Sequence, residues 1–378
     1  MHCDPRFSRV REVFEEHLDK GLDLGAAFAV HVGGELVVDL WGGVADRRTG
    51  RPWERETPVF AYSCTKALTA AVALRVIPDP ARRVVDFWPE YAAGGKADTT
   101  VEHLLTHQAG LPTVEEEVPV EEFGDLPAIA ARLAAQTPLW RPGTAHGYHA
   151  LTYGFLVGEV VRRVTGQSVG ELVAESAAPY GLETWVGAPD DVIARAARLT
   201  ASPPRDDAPA GGLLAGNTPA ALAARDPGSL MNRALGNPGM HRLKGGANHP
   251  IVLRAGWPGA GVVTTARGLA GFYRELIAGS LLPLDRLRDA VRVRVEGPDR
   301  VLMTGSAFGL GFARPSAAFL TPVPAAKAFG HGGLGGSIGL ADPSRGLALA
   351  YVMNRMAGTD IDSHLRAYRL VEAVYDAF

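Results

Sequence analysis

The sequence predicts an α+β protein: an antiparallel sheet flanked by helices, with an all-helical domain inserted into it. Three observations carry this prediction. Strand-like runs gather at the two ends of the 378-residue chain, and the long middle stretch reads as helices. Near the N-terminus a Gly33-Gly34 pair separates two apolar runs, and Gly-Gly supplies the positive φ angles of a two-residue hairpin turn. The sheet domain is therefore expected to be discontinuous, residues 1–60 and 251–378, and the mainly helical domain to occupy residues 61–250.

Taken in order, residues 9–20 put Val10, Val13, Phe14 and Leu18 on one stripe, an amphipathic helix. Residues 25–32 and 35–43 are the two arms of the hairpin. From about residue 63 to about residue 235 the pattern is helical. It includes a short helix at 101–107, closed by Gly110-Leu111-Pro112, and longer ones at 126–136 and 151–164. Two Pro/Gly-rich connections, 203–212 and 236–250, have the length of functional or mobile loops. A helix is expected at 265–277, strands at 308–312, 328–330, 336–341 and 347–354, and a closing helix at 364–378.

Composition excludes several classes. A formal net charge of −3 gives no electrostatic basis for binding nucleic acid or a membrane surface. No run approaches the roughly 20 apolar residues of a membrane span. Residues 1–18 carry charges throughout and no apolar signal-peptide core, so a cytoplasmic location is expected. With only Cys3 and Cys64, there is no disulfide framework and no Cys/His cluster of zinc spacing. No cofactor and no metal are expected.

The chemistry concentrates in three places. Ser63-Cys64-Thr65-Lys66 stands at the start of an apolar helix, and one helical turn brings Lys66 beside the Ser63 hydroxyl. A serine is a weak nucleophile until a neighbouring base takes its proton, which a desolvated lysine can do. Tyr148 follows a glycine in the loop Pro142-Gly143-Thr144-Ala145-His146-Gly147-Tyr148-His149-Ala150, just ahead of a helix. Gly330-His331-Gly332-Gly333-Leu334-Gly335-Gly336 is a glycine-rich strand whose backbone can approach a ligand and present N–H groups to it.

This ordered set resembles the serine β-lactamase and penicillin-binding-protein superfamily, and within it the class C β-lactamases and the family VIII carboxylesterases. The likeness runs from about residue 25 to the C-terminus. It includes Phe87-Trp88-Pro89-Glu90-Tyr91, the stretch from His103-Leu104-Leu105-Thr106-His107 through Gly110-Leu111-Pro112, and Asp342-Pro343 with Gly346. The resemblance implies a β-lactamase/transpeptidase-like fold and a covalent mechanism in which Ser63 attacks an acyl carbonyl while Lys66 and Tyr148 share its proton. It implies an oxyanion held by the backbone N–H groups of Ser63 and Leu334.

Three departures bear on the substrate. Ala150 stands where class C enzymes carry an Asn that contacts the β-lactam side chain. His331-Gly332-Gly333 replaces Lys-Thr-Gly, and a histidine largely neutral at pH 7 weakens carboxylate anchoring. Residues 75–77 run directly into Pro78-Asp79-Pro80, a shorter link than in relatives. The first two move the expectation from β-lactamase or D-Ala-D-Ala peptidase towards a serine esterase acting on a small-molecule acyl ester or amide. An acyltransferase passing the acyl group to a small-molecule acceptor would use the same machinery.

Other residues are weighed against plainer roles. Gly335-Gly336-Ser337-Ile338-Gly339 matches the nucleophile-elbow pattern, but a strand rather than a helix follows Ser337, so Ser337 is read as structural or substrate-facing. His149 either lines the pocket or packs. His103 and His107 share a helical face without a third metal ligand and are read as capping or core histidines. Cys64 is expected to be buried and inert. Trp257 is placed near the pocket mouth. The substrate-binding set is thus Leu334, His331, Gly332, Gly333, His149 and Trp257.

Overall fold

The computed structural model describes residues 1–202, 216–320, 326–358 and 361–378. The connection expected at 203–212 lies outside the described residues apart from its flank. In chain order the strands are β1 (His2–Cys3), β2 (Gly25–Val32), β3 (Glu35–Asp46), β4 (Arg51–Pro52), β5 (Val59–Phe60), β6 (Thr184–Val186), β7 (Val262–Thr264), β8 (Val295–Pro298), β9 (Gly305–Phe308), β10 (Phe329–Gly332), β11 (Ile338–Asp342) and β12 (Leu347–Met353). The large antiparallel sheet has the order β1-β3-β2-β12-β11-β10, with β4 on β3, so strands from both chain ends meet where β2 pairs β12. Gly33 and Gly34 turn the first hairpin with φ of 59° and 91°.

Period-two alternation sorts the side chains of this sheet between two cores. Ala27 and Ala29 of β2, with Ala348, Ala350 and Val352 of β12, enter one core. Ala26, Phe28 and Val30, with Leu347, Leu349, Tyr351 and Met353, enter the other. The small residues let helix Ala266–Ala278 lie close on the first face. The bulkier ones meet the terminal helices Ser8–Asp19 and Ile361–Tyr375, which pack on each other. The first core continues without a break into the middle helices, through Leu68, Leu133 and Leu156.

The expected helices form within a few residues of their predicted ends: Ser8–Asp19, Val101–Leu105, Leu126–Ala135, Thr152–Thr165 and Ala266–Ala278. Three features differ from expectation. The strand expected at 308–312 forms earlier, as β9, and the chain turns beyond Phe308, where Gly311 takes a φ of 80°. The middle stretch contributes a strand, β6, which joins β7 and β5 in a three-stranded sheet. Residues 236–250 are not an open connection but carry turns Met240–Arg242 and Gly246–Asn248 before helix Pro250–Ala255. The short link after helix Thr65–Val76 is absorbed without strain in packing, because Ile77 is buried and its N–H caps Ala73.

Candidate active site

Strand β5 delivers the chain to Ala61, whose N–H bonds Val262 O of β7 at 2.9 Å. Tyr62 then adopts a left-handed φ of 46°, unfavourable for an aromatic residue and confined to sites where the surroundings enforce it. Thr65 enforces it here: its hydroxyl donates to Tyr62 O at 2.5 Å and accepts from Val262 N at 2.9 Å. The turn leaves Ser63 half-buried at the head of helix Thr65–Val76, where its N–H has no carbonyl one turn back.

Lys66 is fully buried on that helix, with Nζ 3.2 Å from Ser63 Oγ, 2.6 Å from Ala150 O and 2.7 Å from Gly259 O. Burial holds its ammonium well below the usual lysine range. A neutral amine has two N–H donors and one lone pair, and two carbonyls plus a hydroxyl match that inventory. The donors go to Ala150 and Gly259, which leaves the lone pair for the Ser63 proton.

Tyr148 packs over the same group, with Lys66 Nζ 4.8 Å from its ring centroid. Its ring is stacked on Phe308 at 6.2 Å and on His331 at 5.9 Å, and it touches His107 and Phe319. Desolvation raises the phenol far above the usual tyrosine range, and the nearby Ser63 side chain offsets part of that rise. Tyr148 therefore keeps its proton at neutral pH. Gly147 explains the glycine before it: a Cβ there would meet Trp140 and Val301, each at 3.0 Å, so the loop carrying Tyr148 can press against residues 300–301.

The glycine strand closes the other side. Cys64 Sγ donates to His331 O at 3.5 Å, and a Cβ on Gly333 would stand 2.2 Å from Ala61 O, so β10 runs directly against the nucleophile turn. Gly333 N–H bonds Ser337 O at 2.7 Å, making a tight turn at whose tip Leu334 is half-exposed. The Leu334 N–H makes no hydrogen bond within the described residues. His331 is buried and neutral, its imidazole pushed down to about 3 by desolvation and then by Lys66. Its Nδ1 bonds Gly332 O at 2.7 Å.

Ser63, Lys66, Tyr148, His331, Gly332, Gly333 and Leu334 thus come together, and two predicted residues play other parts. His149 is spent on structure: Nε2 accepts from Leu111 N at 3.0 Å, and Nδ1 donates to Gly147 O at 2.6 Å. Trp257 is not at the mouth. It is buried between Phe123 and Phe155 with its indole N–H on Phe123 O, because an apolar ring follows a core helix there, and only the backbone two residues on, at Gly259, reaches Lys66.

The plainer readings hold for several others. His103 caps the helix start by accepting from Thr100 N, and His107 Nδ1 accepts from His149 N. No His/Cys/Asp/Glu group with metal-holding geometry occurs among the described residues. Cys64 is buried, its thiol pushed up to about 12 by desolvation. Ser337 Oγ is buried without a hydrogen-bond partner among the described residues, hence without a base. Sequence reasoning missed Thr65, Phe308 and Asp299. Only Thr65, inside the Ser-x-x-Lys segment, carried a local signal.

A fold of this topology with a serine, a buried lysine and a tyrosine against a glycine strand defines a class of serine acyl-transfer enzymes, and the comparisons agree. A family profile described as Beta-lactamase matches residues 10–373, and the chain belongs to that family. It is 34% identical to the esterase/beta-lactamase LipL of Mycobacterium tuberculosis, over 98% of this chain and 87% of that one. The crystal structure of a family VIII carboxylesterase is 35% identical, with a TM-score of 0.85, covering 100% of this chain and 99% of that one. A penicillin-binding protein homologue from Caulobacter crescentus is 36% identical, with a TM-score of 0.83 and coverage of 100% and 99%. The chain is accordingly a serine hydrolase of the β-lactamase superfamily. Among the described residues no helix is long and apolar enough to cross a membrane.

Proposed function

We propose that this enzyme is an esterase that cleaves small or medium acyl esters through an acyl-Ser63 intermediate. The observation that carries the reading is Lys66: buried, depressed in pKa, and donating to two carbonyls so that its lone pair is left for Ser63. The Ser63 proton passes to Lys66 Nζ as Oγ bonds the acyl carbon. The carbonyl electron pair moves onto oxygen, where the N–H groups of Ser63 and Leu334 receive it. Collapse of this intermediate expels the alkoxide, which takes a proton from Tyr148, the group that burial keeps protonated. Lys66 returns its proton to Tyr148. Water then repeats the sequence on the acyl-enzyme.

The esterase names of relatives at 30% identity or more support ester over β-lactam, and so do two residues. Ala150 offers only a methyl group and a carbonyl already taken by Lys66. Neutral His331 supplies no cation for a carboxylate. Each lost polar contact to a charged or buried group is worth roughly 1.5–3 kcal/mol, about ten- to a hundredfold in rate.

An alkyl phosphonate probe followed by peptide mass spectrometry tests the nucleophile. The adduct is expected on Ser63 and absent in Ser63→Ala. Modification of Ser337, or unchanged ester turnover in Ser63→Ala, sinks the mechanism. Assays of p-nitrophenyl butyrate and nitrocefin test the substrate class, and comparable turnover of the two would reverse the preference for esters. Product analysis with added alcohols and amines measures how much acyl group goes to an acceptor instead of water.

A further inference from the structure

Beneath Tyr148 lies a buried polar network that the mechanism does not use. Asp299, 2% exposed, follows β8 and accepts from Tyr148 N at 3.0 Å, from Val301 N and Leu302 N at 2.9 Å each, all at Oδ1, and from the Ser306 hydroxyl at 2.9 Å at Oδ2. Ser306 Oγ also lies 3.0 Å from His146 Nε2. Asp, Ser and His in a row resemble a hydrolytic triad, but the protons run the wrong way. A carboxylate only accepts, so the single Ser306 proton goes to Asp299, and His146 must donate to Ser306 Oγ. Ser306 is itself 1% exposed. The row therefore cannot generate a nucleophile.

What it does instead is hold a backbone. Tyr148 N–H on Asp299, and Arg300 N–H on His146 O at 3.2 Å, tie the tyrosine loop to residues 299–300 at two adjacent points. Asp299 N and O both bond within its own turn, to Thr304 and Met303, so the carboxylate is anchored at its base. Phe308, at the end of β9, completes the hold by stacking on the ring. We propose that Asp299 is a positioning residue: with Ser306 and His146 it fixes the backbone of Tyr148 and thereby the placement of the phenol against Ser63. The proposal rests on the role of Tyr148 given above.

The test is a cycle of Asp299→Ala and Tyr148→Phe, with Ser306→Ala as a milder variant and p-nitrophenyl butyrate as the substrate. A misplacement of about 1 Å is worth on the order of a hundredfold in rate. Asp299→Ala is thus expected to lower kcat by about that factor with KM within a few-fold, and Ser306→Ala by several-fold. In the Tyr148→Phe background neither change should lower kcat further, since the phenol they position is gone. Asp299→Asn should restore most of the activity. Its Oδ1 still accepts the three N–H groups, while its NH₂ donates to Ser306, which turns its proton to His146. Losses of equal size in both backgrounds, from either Asp299→Ala or Ser306→Ala, overturn the positioning role and leave the mechanism standing. Full activity in Tyr148→Phe alone overturns both. Should Asp299→Ala fail to fold, the Ser306→Ala cycle and the Asn rescue decide by the same criteria.

Discussion

At the scale of single residues, catalysis depends on which group around Tyr148 can change charge near neutrality. His107 is held well below the usual histidine range by burial, His149 is pushed down to about 4, and His331 to about 3. Burial shifts all three towards the neutral imidazole. His146, held on Ser306, is also lowered by burial, and Lys66 is the base in contact with Ser63; its folded pKa lies well below the 10.5 of a free lysine. As pH falls through that lowered pKa, Nζ gains a proton, its lone pair is lost and acylation slows. The kcat/KM profile is therefore expected to show one acid limb belonging to Lys66. His331→Asn should leave that limb in place; its disappearance in this variant would reassign the base to the histidine. Lys66→Arg keeps the charge permanently and has no lone pair, so it should lower kcat/KM by about 10²–10⁴ and abolish the limb. Ser63 and Lys66 were legible in the sequence because one helical turn fixes their proximity. Asp299 was not, because it acts through its carboxylate on a backbone N–H, that of Tyr148, 151 residues away in sequence. Trp257 was misplaced, and His149 left undecided between lining and packing, for a related reason: a residue type beside a motif says little about where its side chain turns.

At the scale of elements, the site is a contact between a strand and a turn that come close only where side chains are missing. Gly333 and Gly332 are adjacent on the glycine strand but face different surroundings. A Cβ on Gly333 would meet Ala61 O at 2.2 Å and Ala61 C at 3.1 Å, backbone atoms that cannot yield, whereas on Gly332 the nearest atom is Ser337 O at 3.8 Å. Gly333→Ala is therefore expected to push the Leu334 turn away from Ser63, lowering kcat/KM by about 10²–10³, the usual loss of an oxyanion donor. It should also destabilise by about 1–3 kcal/mol through overpacking. Gly332→Ala should stay within a few-fold in rate and close to the parent in thermal midpoint. Melting curves and ester kinetics on the two variants check this, and equal behaviour would refute the close-approach argument. The same logic applies to helix Thr152–Thr165, where a Cβ on Gly154 would stand 2.0 Å from Gly259 N, next to the carbonyl that accepts from Lys66 Nζ. Long elements were legible because five or more periodic residues report a face. The sheet β5-β7-β6 was not, since strands of two or three residues carry no period and are defined by partners far along the chain.

At the scale of the whole molecule, the two chain ends are joined on the face of the large sheet away from helix Ala266–Ala278, and one buried cation ties that junction to the active site. Arg366, on the C-terminal helix, is 1% exposed. Its Nη1 donates to Asp23 Oδ1 at 2.5 Å and Leu22 O at 2.9 Å, just before β2. Its Nη2 donates to Arg355 O at 2.8 Å, after β12, and to Gly335 O at 3.2 Å. Gly335 also accepts from Ala357 N at 2.9 Å, so the turn that presents Leu334 leans on the same guanidinium that pairs the termini. Tyr351 of β12 donates its hydroxyl to Asp23 Oδ1 at 2.6 Å, which satisfies part of the carboxylate but not its charge. Removing the cation alone leaves Asp23 buried with the Tyr351 hydroxyl and, 3.9 Å away, a His17 that burial holds towards its neutral form, and losses of this kind run to about 3–5 kcal/mol. Arg366→Leu is expected to fall in that range by urea unfolding. Asp23→Asn combined with Arg366→Leu should recover a substantial share of the loss, because the stranded charge is then gone. Ester turnover should fall in the single variant as the Gly335 carbonyl loses one of its two donors. It should stay reduced in the double variant, since neutralising Asp23 does not restore the guanidinium donor to Gly335. A single-variant loss below about 1 kcal/mol would mean that the pair is not the clasp between the termini. Recovery of both stability and turnover in the double variant would mean that the Gly335 contact contributes nothing to the site.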